Sequence, residues 1–326
     1  YAARIAECLN EMGAPGMLIE ATEGTKKIGT VMDICEWLLE QDADRNALVL
    51  AIGGGITSDM TGFAASIYKR GVRFAFVPTT LLAQVDASIG GKTGVNFGGY
   101  KNMLGTICQP EFTYICPQVL ESLPMEAFQA GAAEMLKTFI IEDNGNYQEA
   151  VRLLKDLADD FVAICQGATL SDGEARWPEV LLPRLAELTP LIAAAARVKA
   201  GVVSRDQFET GERRKLNLGH TFAHAIEKLS NEMNHGEAVA VGTSIVARMA
   251  VQLGVLSSED AERIERLLTA LGFTLTPPLP TKRLASAISK DKKVDGDALH
   301  IVLPTGIGSC KVRRMDIGEV VTLAEK

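Results

Sequence analysis

The sequence predicts an α/β domain over residues 1–123 followed by an all-α domain over 124–326. Two observations carry this. Early in the chain a buried strand, a glycine turn, a helix and a second strand follow one another. After Pro117–Pro124 the strand signals largely disappear and long helical patterns take over.

In the first half, residues 1–12 read as an amphipathic helix stopped by Gly13 and Pro15. Gly16 to Ala21 is short and apolar, the pattern of a strand. Thr30–Glu40 repeats apolar residues at helical spacing (Val31, Ile34, Cys35, Leu38, Leu39). Asn46–Ile52 is a buried-strand pattern that runs straight into Gly53-Gly54-Gly55. Asp59–Lys69 is helical, and Val72–Val77 is a second buried strand closed by Pro78-Thr79-Thr80. That order is a βαβ unit, which implies a parallel, doubly wound sheet of Rossmann-like, nucleotide-binding type. Glycine lets a backbone pass close to a ligand, and its amides with the following helix N-terminus can hold a pyrophosphate. The triglycine is not the GxGxxG fingerprint, so a bare tight turn is the competing reading. Two further glycine-rich loops each present a lysine. One runs Gln84–Asn96 with Asp86 and Lys92; the other, Gly98–Met103, carries Lys101 and Asn102. A lysine ammonium is a compact charge suited to phosphate or carboxylate. No GxxxxGK[ST] is present, which excludes a Walker loop.

In the second half, Glu126–Ile141 reads as a helix with Glu134 and Lys137 on one face. Their neighbours are small or apolar, which predicts a partly buried ion pair and asks for a metal or anion as its reason. Lys199 sits in a comparably apolar helix, within the run Leu188–Val203. Asp206–Gly211 is a polar connection into Arg213, Asn217, His220 and His224, with His235 beyond a turn. Three of the four histidines fall here. His220 and His224 are four apart and share a helix face. A solvated helix with two chance histidines is the bland reading; Arg213, Asn217 and the third histidine weigh against it. Imidazoles able to bind a metal, a guanidinium and an amide suit an anionic, oxygen-rich substrate. Gly236–Leu253 reads as a core helix, Ser257 as a helix cap, and His300–Val312 as a short hairpin in which His300 is structural.

Composition is that of a soluble globular protein, 47% hydrophobic and 23% charged. A net charge of −8 argues against general nucleic-acid binding. The six cysteines make no CxxC and suit a reducing cytoplasm. No stretch reads as a signal peptide or a membrane span.

With these residues assembled, the sequence resembles the 3-dehydroquinate synthases, NAD- and metal-dependent cyclases of the shikimate pathway. The matching runs are Gly53-Gly54-Gly55 with Asp59, Lys69-Arg70-Gly71, Pro78-Thr79-Thr80-Leu81-Leu82 and Asp86 through Gly94. To these add Lys101-Asn102, Ala133-Glu134-Met-Leu-Lys137, Lys199-Ala200, the arginine-to-histidine stretch and His235-Gly-Glu. They run in order over about residues 23–303. The resemblance implies that Glu134, His220 and His235 hold zinc, with cobalt able to substitute, and it moves His224 from the metal to the substrate. It implies NAD contacts from Lys26, Gly53, Gly54, Gly55, Ile56, Thr57, Ser58, Asp59, Thr79, Thr80, Lys92, Lys101, Val119 and Ser122. Asp86, Lys92, Asn102, Lys137, Lys199, Arg213, Asn217, His224 and Lys292 or Lys293 would line the substrate pocket. Arg70 would reach the partner's site in a homodimer. Ser58 stands where the family commonly has glycine. The family usually begins with a strand and loop that contact the adenosine end of NAD; the sequence opens at Tyr1, about where the family's first helix starts, which implies either a trimmed chain or weaker NAD binding.

The implied reaction converts 3-deoxy-D-arabino-heptulosonate 7-phosphate to 3-dehydroquinate and phosphate. NAD takes and returns a hydride, so net redox is zero. Three rivals are a sister cyclase for another sugar phosphate, a metal-dependent polyol dehydrogenase, and a catalytically silent homologue. Gly90-Gly91-Lys92 and Arg213 argue against the first, the number of anion-binding lysines against the second, and the intact Glu134, Lys137, His220 and His235 against the third.

Overall fold

The computed structural model describes residues 2–325 apart from 144, 166–169, 231 and 289–297. The chain divides into two compact units, Tyr1–Leu123 and Pro124–Lys326.

The first unit opens with α1 (Ala2–Glu11) and α2 (Ile28–Glu40). Strand β1 (Leu48–Gly53) leads through α3 (Gly55–Ile67) into β2 (Arg73–Pro78). The two strands pair in parallel from Leu48 with Arg73 to Gly53 with Pro78, so the expected βαβ unit forms. Helix α3 starts at Gly55 rather than Asp59, and Ile56 to Asp59 ride its first turns. The parallel ladder is narrower than a full doubly wound sheet. Among the described residues it extends only by a single bridge between Phe76 and Thr113. Gly16–Ala21 is irregular rather than a strand. A strand needs a neighbour for its amides, and here even Leu18 faces water. The two lysine-bearing loops also turn out differently. Lys92 opens β3 (Lys92–Phe97), while Lys101 and Asn102 lie on β4 (Tyr100–Ile107). The strands form an antiparallel hairpin about Gly98-Gly99, both left-handed at φ 60° and 80°, as a two-residue hairpin turn demands. Val31, Ile34, Leu38, Met60, Phe63, Phe74, Phe76 and Val95 form the core of this unit.

The second unit is helical, with the expected hairpin longer than its sequence signal. Its helices are α4 (Met125–Ile141), α5 (Tyr147–Cys165), α6 (Leu170–Arg205), α7 (His220–Leu229), α8 (His235–Gln252), α9 (Ser258–Ala270), α10 (Thr281–Ile288) and α11 (Ile317–Ala324). Strands β5 (Ala298–Gly306) and β6 (Ser309–Asp316) pair antiparallel. Ser257 caps α9 by accepting the Asp260 amide. Trp177 packs edge-on against Phe128 and Phe161.

Helix α8 is the hub, packed against α4, α7, α9 and β5. Its small residues allow backbone-to-backbone approach at two crossings. A Cβ on Gly242 would lie 2.1 Å from the Gly219 carbonyl oxygen, so α7 can begin only where α8 carries no side chain. Gly219 is itself left-handed at φ 75°, and a Cβ there would meet Thr243. A Cβ on Gly236 would lie 2.3 Å from Cα of Ala130, pressing the start of α8 onto α4. These crossings bring His220, His235 and Glu134, one turn after Ala130, into one place.

Gly242→Ala tests the first crossing. A methyl group forced against a backbone carbonyl should cost about 1–3 kcal/mol, read as a lower urea midpoint. An unchanged midpoint would mean that α7 and α8 are not in backbone contact.

Candidate metal centre

Glu134 lies on the buried face of α4, its side chain 0% exposed. Lys137, one turn on, is 2% exposed and ion-paired to Glu134 Oε2. The pair expected to be partly buried is thus wholly buried, because Phe128, Ala132, Ala133, Met135, Leu136 and Phe139 shut water out around it. The hairpin grips the far end of the helix: the Gly308 N–H donates to the Ile140 carbonyl at 3.1 Å.

Two imidazoles face the same carboxylate. Nε2 of His220 lies 3.6 Å and Nε2 of His235 3.5 Å from Glu134 Oε1. Each ring is oriented from behind. His220 Nδ1 lies 3.1 Å from the Leu218 carbonyl, which can only accept, so Nδ1 carries the hydrogen and Nε2 its lone pair. His235 Nδ1 lies 3.3 Å from Glu227 Oε1. His235 is the first residue of α8 because Asn234 caps that helix. Asn234 Oδ1 accepts the Glu237 N–H at 3.0 Å and the Glu237 carboxylate accepts the Asn234 N–H at 2.7 Å. His224 lies outside the donor group that Glu134, His220 and His235 form, its ring edge-on to that of His220 at 5.5 Å. The structure thus groups His235, rather than His224, with Glu134 and His220. A shared helix face brings two rings near each other, but only α4 and α8 supply the other donors.

The donor atoms of these three residues lie within 4.8 Å of one another. Four ligands about 2.0–2.1 Å from a tetrahedral zinc stand about 3.3 Å apart, close to the 3.5–3.6 Å found between Glu134 and the rings. One carboxylate and two imidazoles also match the chemistry of catalytic zinc sites, which keep a further position open. Burial alone would raise the Glu134 carboxyl; Lys137, then His220 and His235, outweigh it and hold the group well below the usual carboxylate range. Burial, and then Lys137, push His220 down to about 4, so its ring is neutral and free to donate. Burial would lower His235 too, but the carboxylates of Glu134 and Glu227 beside it hold it up at about 10. A field that draws a proton so strongly also favours a metal cation in its place.

In the first unit, Lys26 is buried, with Nζ 2.6 Å from both Asp59 Oδ2 and Asn102 Oδ1. Asn102 holds a left-handed backbone at φ 50°, and its N–H donates to Asn96 Oδ1 at 2.9 Å. Gly53 ends β1, Gly54 faces Thr80, and the Thr79 N–H donates to the Gly53 carbonyl at 2.9 Å. Thr57 and Ile56 follow on α3. Ser58 is buried there, its hydroxyl donating to the Gly54 carbonyl at 3.3 Å, so it is accommodated where the family has glycine. Asp86 lies in the wide helical turn Ala83–Ala87, and Val119 and Ser122 in the tight turn Pro117–Ser122.

Family models for the N-terminal and C-terminal parts of 3-dehydroquinate synthase match residues 16–130 and 131–294. The chain belongs to the 3-dehydroquinate synthase family. A 3-dehydroquinate synthase of Campylobacter fetus subsp. fetus is 38% identical over 315 residues, covering 95% of this chain and 83% of the relative. Among solved structures, 2-epi-5-epi-valiolone synthase from Streptomyces hygroscopicus subsp. jinggangensis, with NAD+ and Zn2+ bound, superposes with a TM-score of 0.81 at 28% identity. It covers all of this chain and 87% of its own. A 2-deoxy-scyllo-inosose synthase with carbaglucose-6-phosphate, NAD+ and Co2+ gives 0.79 at 25% identity, over 99% and 86% of the two chains. Family and neighbours thus agree on an α/β unit followed by a helical one.

The residues preceding α7 are held by a loop that sequence patterns do not single out. Arg213 is buried and its guanidinium donates to the Gln207 carbonyl. Asn217 donates to Glu209, itself left-handed at φ 59°. Asp206 gathers the loop by accepting the N–H groups of Thr210, Gly211 and Arg213 at 3.0, 2.7 and 2.9 Å. Lys199 is buried on α6. Arg70 is exposed in the turn after α3. Lys292 and Lys293 lie outside the described residues. Among the described residues, Glu227, absent from the sequence-based set, is an added side chain that touches a candidate metal ligand. Its signal was available as the next step, three residues on, along the face of His220 and His224.

Two outcomes follow. His235→Ala should abolish stoichiometric zinc by elemental analysis while far-UV dichroism stays that of the folded protein; retained zinc would remove His235 from the ligand set. Desolvation would raise the Asp206 carboxyl, but the amides of Arg213, Gly211 and Thr210 hold it at about 2, below its usual 3.8. Its contribution to stability is therefore present above pH 4 and lost as pH falls toward 2. Amide protection at Gly211 and Arg213 should fall across that window, and in Asp206→Asn be low already at pH 7. Equal protection in both proteins would leave the carboxylate no part in ordering the loop.

Proposed function

We propose that the chain is a carbon–oxygen lyase that converts 3-deoxy-D-arabino-heptulosonate 7-phosphate to 3-dehydroquinate and phosphate, with catalytic NAD and one divalent cation. The observation that carries this reading is Lys137, packed against the same carboxylate that two imidazoles face. A cation site alone has no use for a buried ammonium beside it. One that must also seat an anionic oxygen does. The buried basic side chains extend the argument. Among the described residues Lys26, Lys137, Lys199 and Arg213 are buried, against Glu134 as the buried acid. Such a set of buried cations suits a protein whose substrate bears phosphate and carboxylate. The NAD+ and the Zn2+ or Co2+ in the two neighbouring cyclases support the cofactor assignment.

When bound, NAD would accept and return one hydride, while the cation would acidify the reacting hydroxyl and polarise the ketone derived from it. The protein's own groups bind and orient. Arg213, which donates to the Gln207 carbonyl, would take the substrate carboxylate in the planar, two-pronged manner that guanidinium favours. Asn217, tied to Glu209, orients hydroxyls beside it. Lys92, Lys137, Lys199 and Lys292 or Lys293 offer point charges to phosphate and hydroxyl oxygens. Asp86 and His224 are read as further substrate contacts, as the family resemblance implies. The Gly53–Asp59 turn and helix start, with Lys26, Thr79, Thr80, Lys101, Val119 and Ser122, would hold NAD. The leaving phosphate can itself take the proton whose loss precedes its departure.

We further read the chain as a cytoplasmic homodimer in which Arg70 reaches the partner's site. Lys69 and Arg70 are both left-handed, at φ 47° and 67°, a cost of about 1–3 kcal/mol each that side chains repay at functional positions. The cysteines described are all free thiols, and among the described residues no helix is long and apolar enough to cross a membrane.

Purified protein with zinc and a trace of NAD should release phosphate from the heptulosonate phosphate without accumulating NADH. Stoichiometric NADH would point to a dehydrogenase. Faster turnover of a heptulose 7-phosphate lacking the carboxylate would point to a sister cyclase. Arg213→Met should lower kcat/KM by roughly 100-fold, the effect of about 2–3 kcal/mol lost with a charged hydrogen bond.

A further inference from the structure

We infer that Glu227 is a positioning residue for the metal centre: a buried carboxylate that holds His235 by Nδ1 and supplies the negative charge this ligand's location lacks. The inference rests on the reading of Glu134, His220 and His235 as metal ligands and adds a fourth residue that is not itself a ligand.

The geometry separates the two imidazoles. His220 is braced by a neutral acceptor, the Leu218 carbonyl at 3.1 Å. His235 is braced by a carboxylate, Glu227 Oε1 at 3.3 Å from Nδ1, while its Nε2 faces Glu134 at 3.5 Å. The difference follows from where each ring stands. His220 opens α7, and its brace comes from the residue two before it. His235 opens α8 just after the Asn234 cap, where the helix N-terminus already carries partial positive charge. A cation bound through His235 would meet that field. His235 is also the more open of the two rings, its side chain 33% exposed against 12% for His220. A weakly packed ring needs a second anchor to stay in one orientation.

Glu227 meets both needs. It follows His220 and His224 at seven and three residues on α7, so all three project from one face. Its side chain is only 7% exposed, a costly place for a carboxylate unless it is engaged. An outer carboxylate that accepts Nδ1–H fixes the tautomer, makes Nε2 a stronger donor, and offsets the charge of the bound cation. Helix α7 thereby carries one ligand, the brace of the other ligand, and the intervening His224.

The test is zinc affinity, measured by competition with a chelating dye on the full chain, for wild type, Glu227→Gln and Glu227→Ala. Glutamine keeps an acceptor for Nδ1 but removes the charge; alanine removes both. Glu227→Gln should weaken zinc binding by about 10-fold and Glu227→Ala by up to about 100-fold. The absorption bands of the cobalt-loaded protein should shift in both. Far-UV dichroism and the urea midpoint of the glutamine variant should match wild type, which separates a tuned metal site from a damaged fold. Wild-type zinc affinity with an unshifted cobalt spectrum in the glutamine and alanine variants would overturn the role given to Glu227. Failure of the wild-type chain to bind zinc would instead overturn the metal-centre reading beneath it.

Discussion

A carboxylate with no exposure to water, as Glu134 is, must find its compensation inside the protein. Lys137 supplies one positive charge from the same helix. The other Glu134 oxygen faces two imidazoles that approach without closing into ordinary hydrogen bonds, at 3.5 and 3.6 Å. A divalent cation held by Glu134, His220 and His235 would satisfy the acid beside its ion pair with Lys137. The chemistry of the second unit follows from that one buried acid.

Holding three helices closely enough for this depends on small residues more than on polar ones. Gly242 against Gly219, and Gly236 against Ala130, let α8 touch α7 and α4 backbone to backbone. Larger residues would push the axes apart toward the 8–10 Å usual for packed helices, and the donor atoms would separate with them. The capping box at Asn234 and Glu237 then fixes where α8 begins, and hence where His235 stands. Packing, capping and ligation are therefore successive parts of one arrangement.

The first unit uses different means. Its βαβ turn puts Gly53–Asp59 at the mouth of a parallel strand pair, while the β3–β4 hairpin carries Lys92, Lys101 and Asn102. Lys26 ties Asp59 and Asn102 together through one ammonium. Residues implied for nucleotide and for substrate thus share a contact, and a change in one is felt by the other.

Much of this was legible from residue order alone. The βαβ unit declared itself as two apolar runs on either side of a glycine turn and helix, although Leu48 and Leu50 of the first strand are exposed rather than buried as expected. Glu134 and Lys137 stood out as charges on an apolar helix face, and His220 and His224 as a helical pair. The hairpin at Gly98-Gly99 was hidden by its glycines, which read as loop; Gly16–Ala21 read as a strand because local pattern cannot show whether a pairing partner exists. The choice of His235 over His224 beside Glu134 is invisible to spacing, since it depends on where α8 crosses α4. Glu227 became meaningful only when Nδ1 of His235 was found against it. Sequence determined which chemical groups this protein has and which helix or strand carries each, because those depend on neighbours a few residues away. Tertiary structure alone decided which groups come together, because that depends on how closely distant backbones can approach.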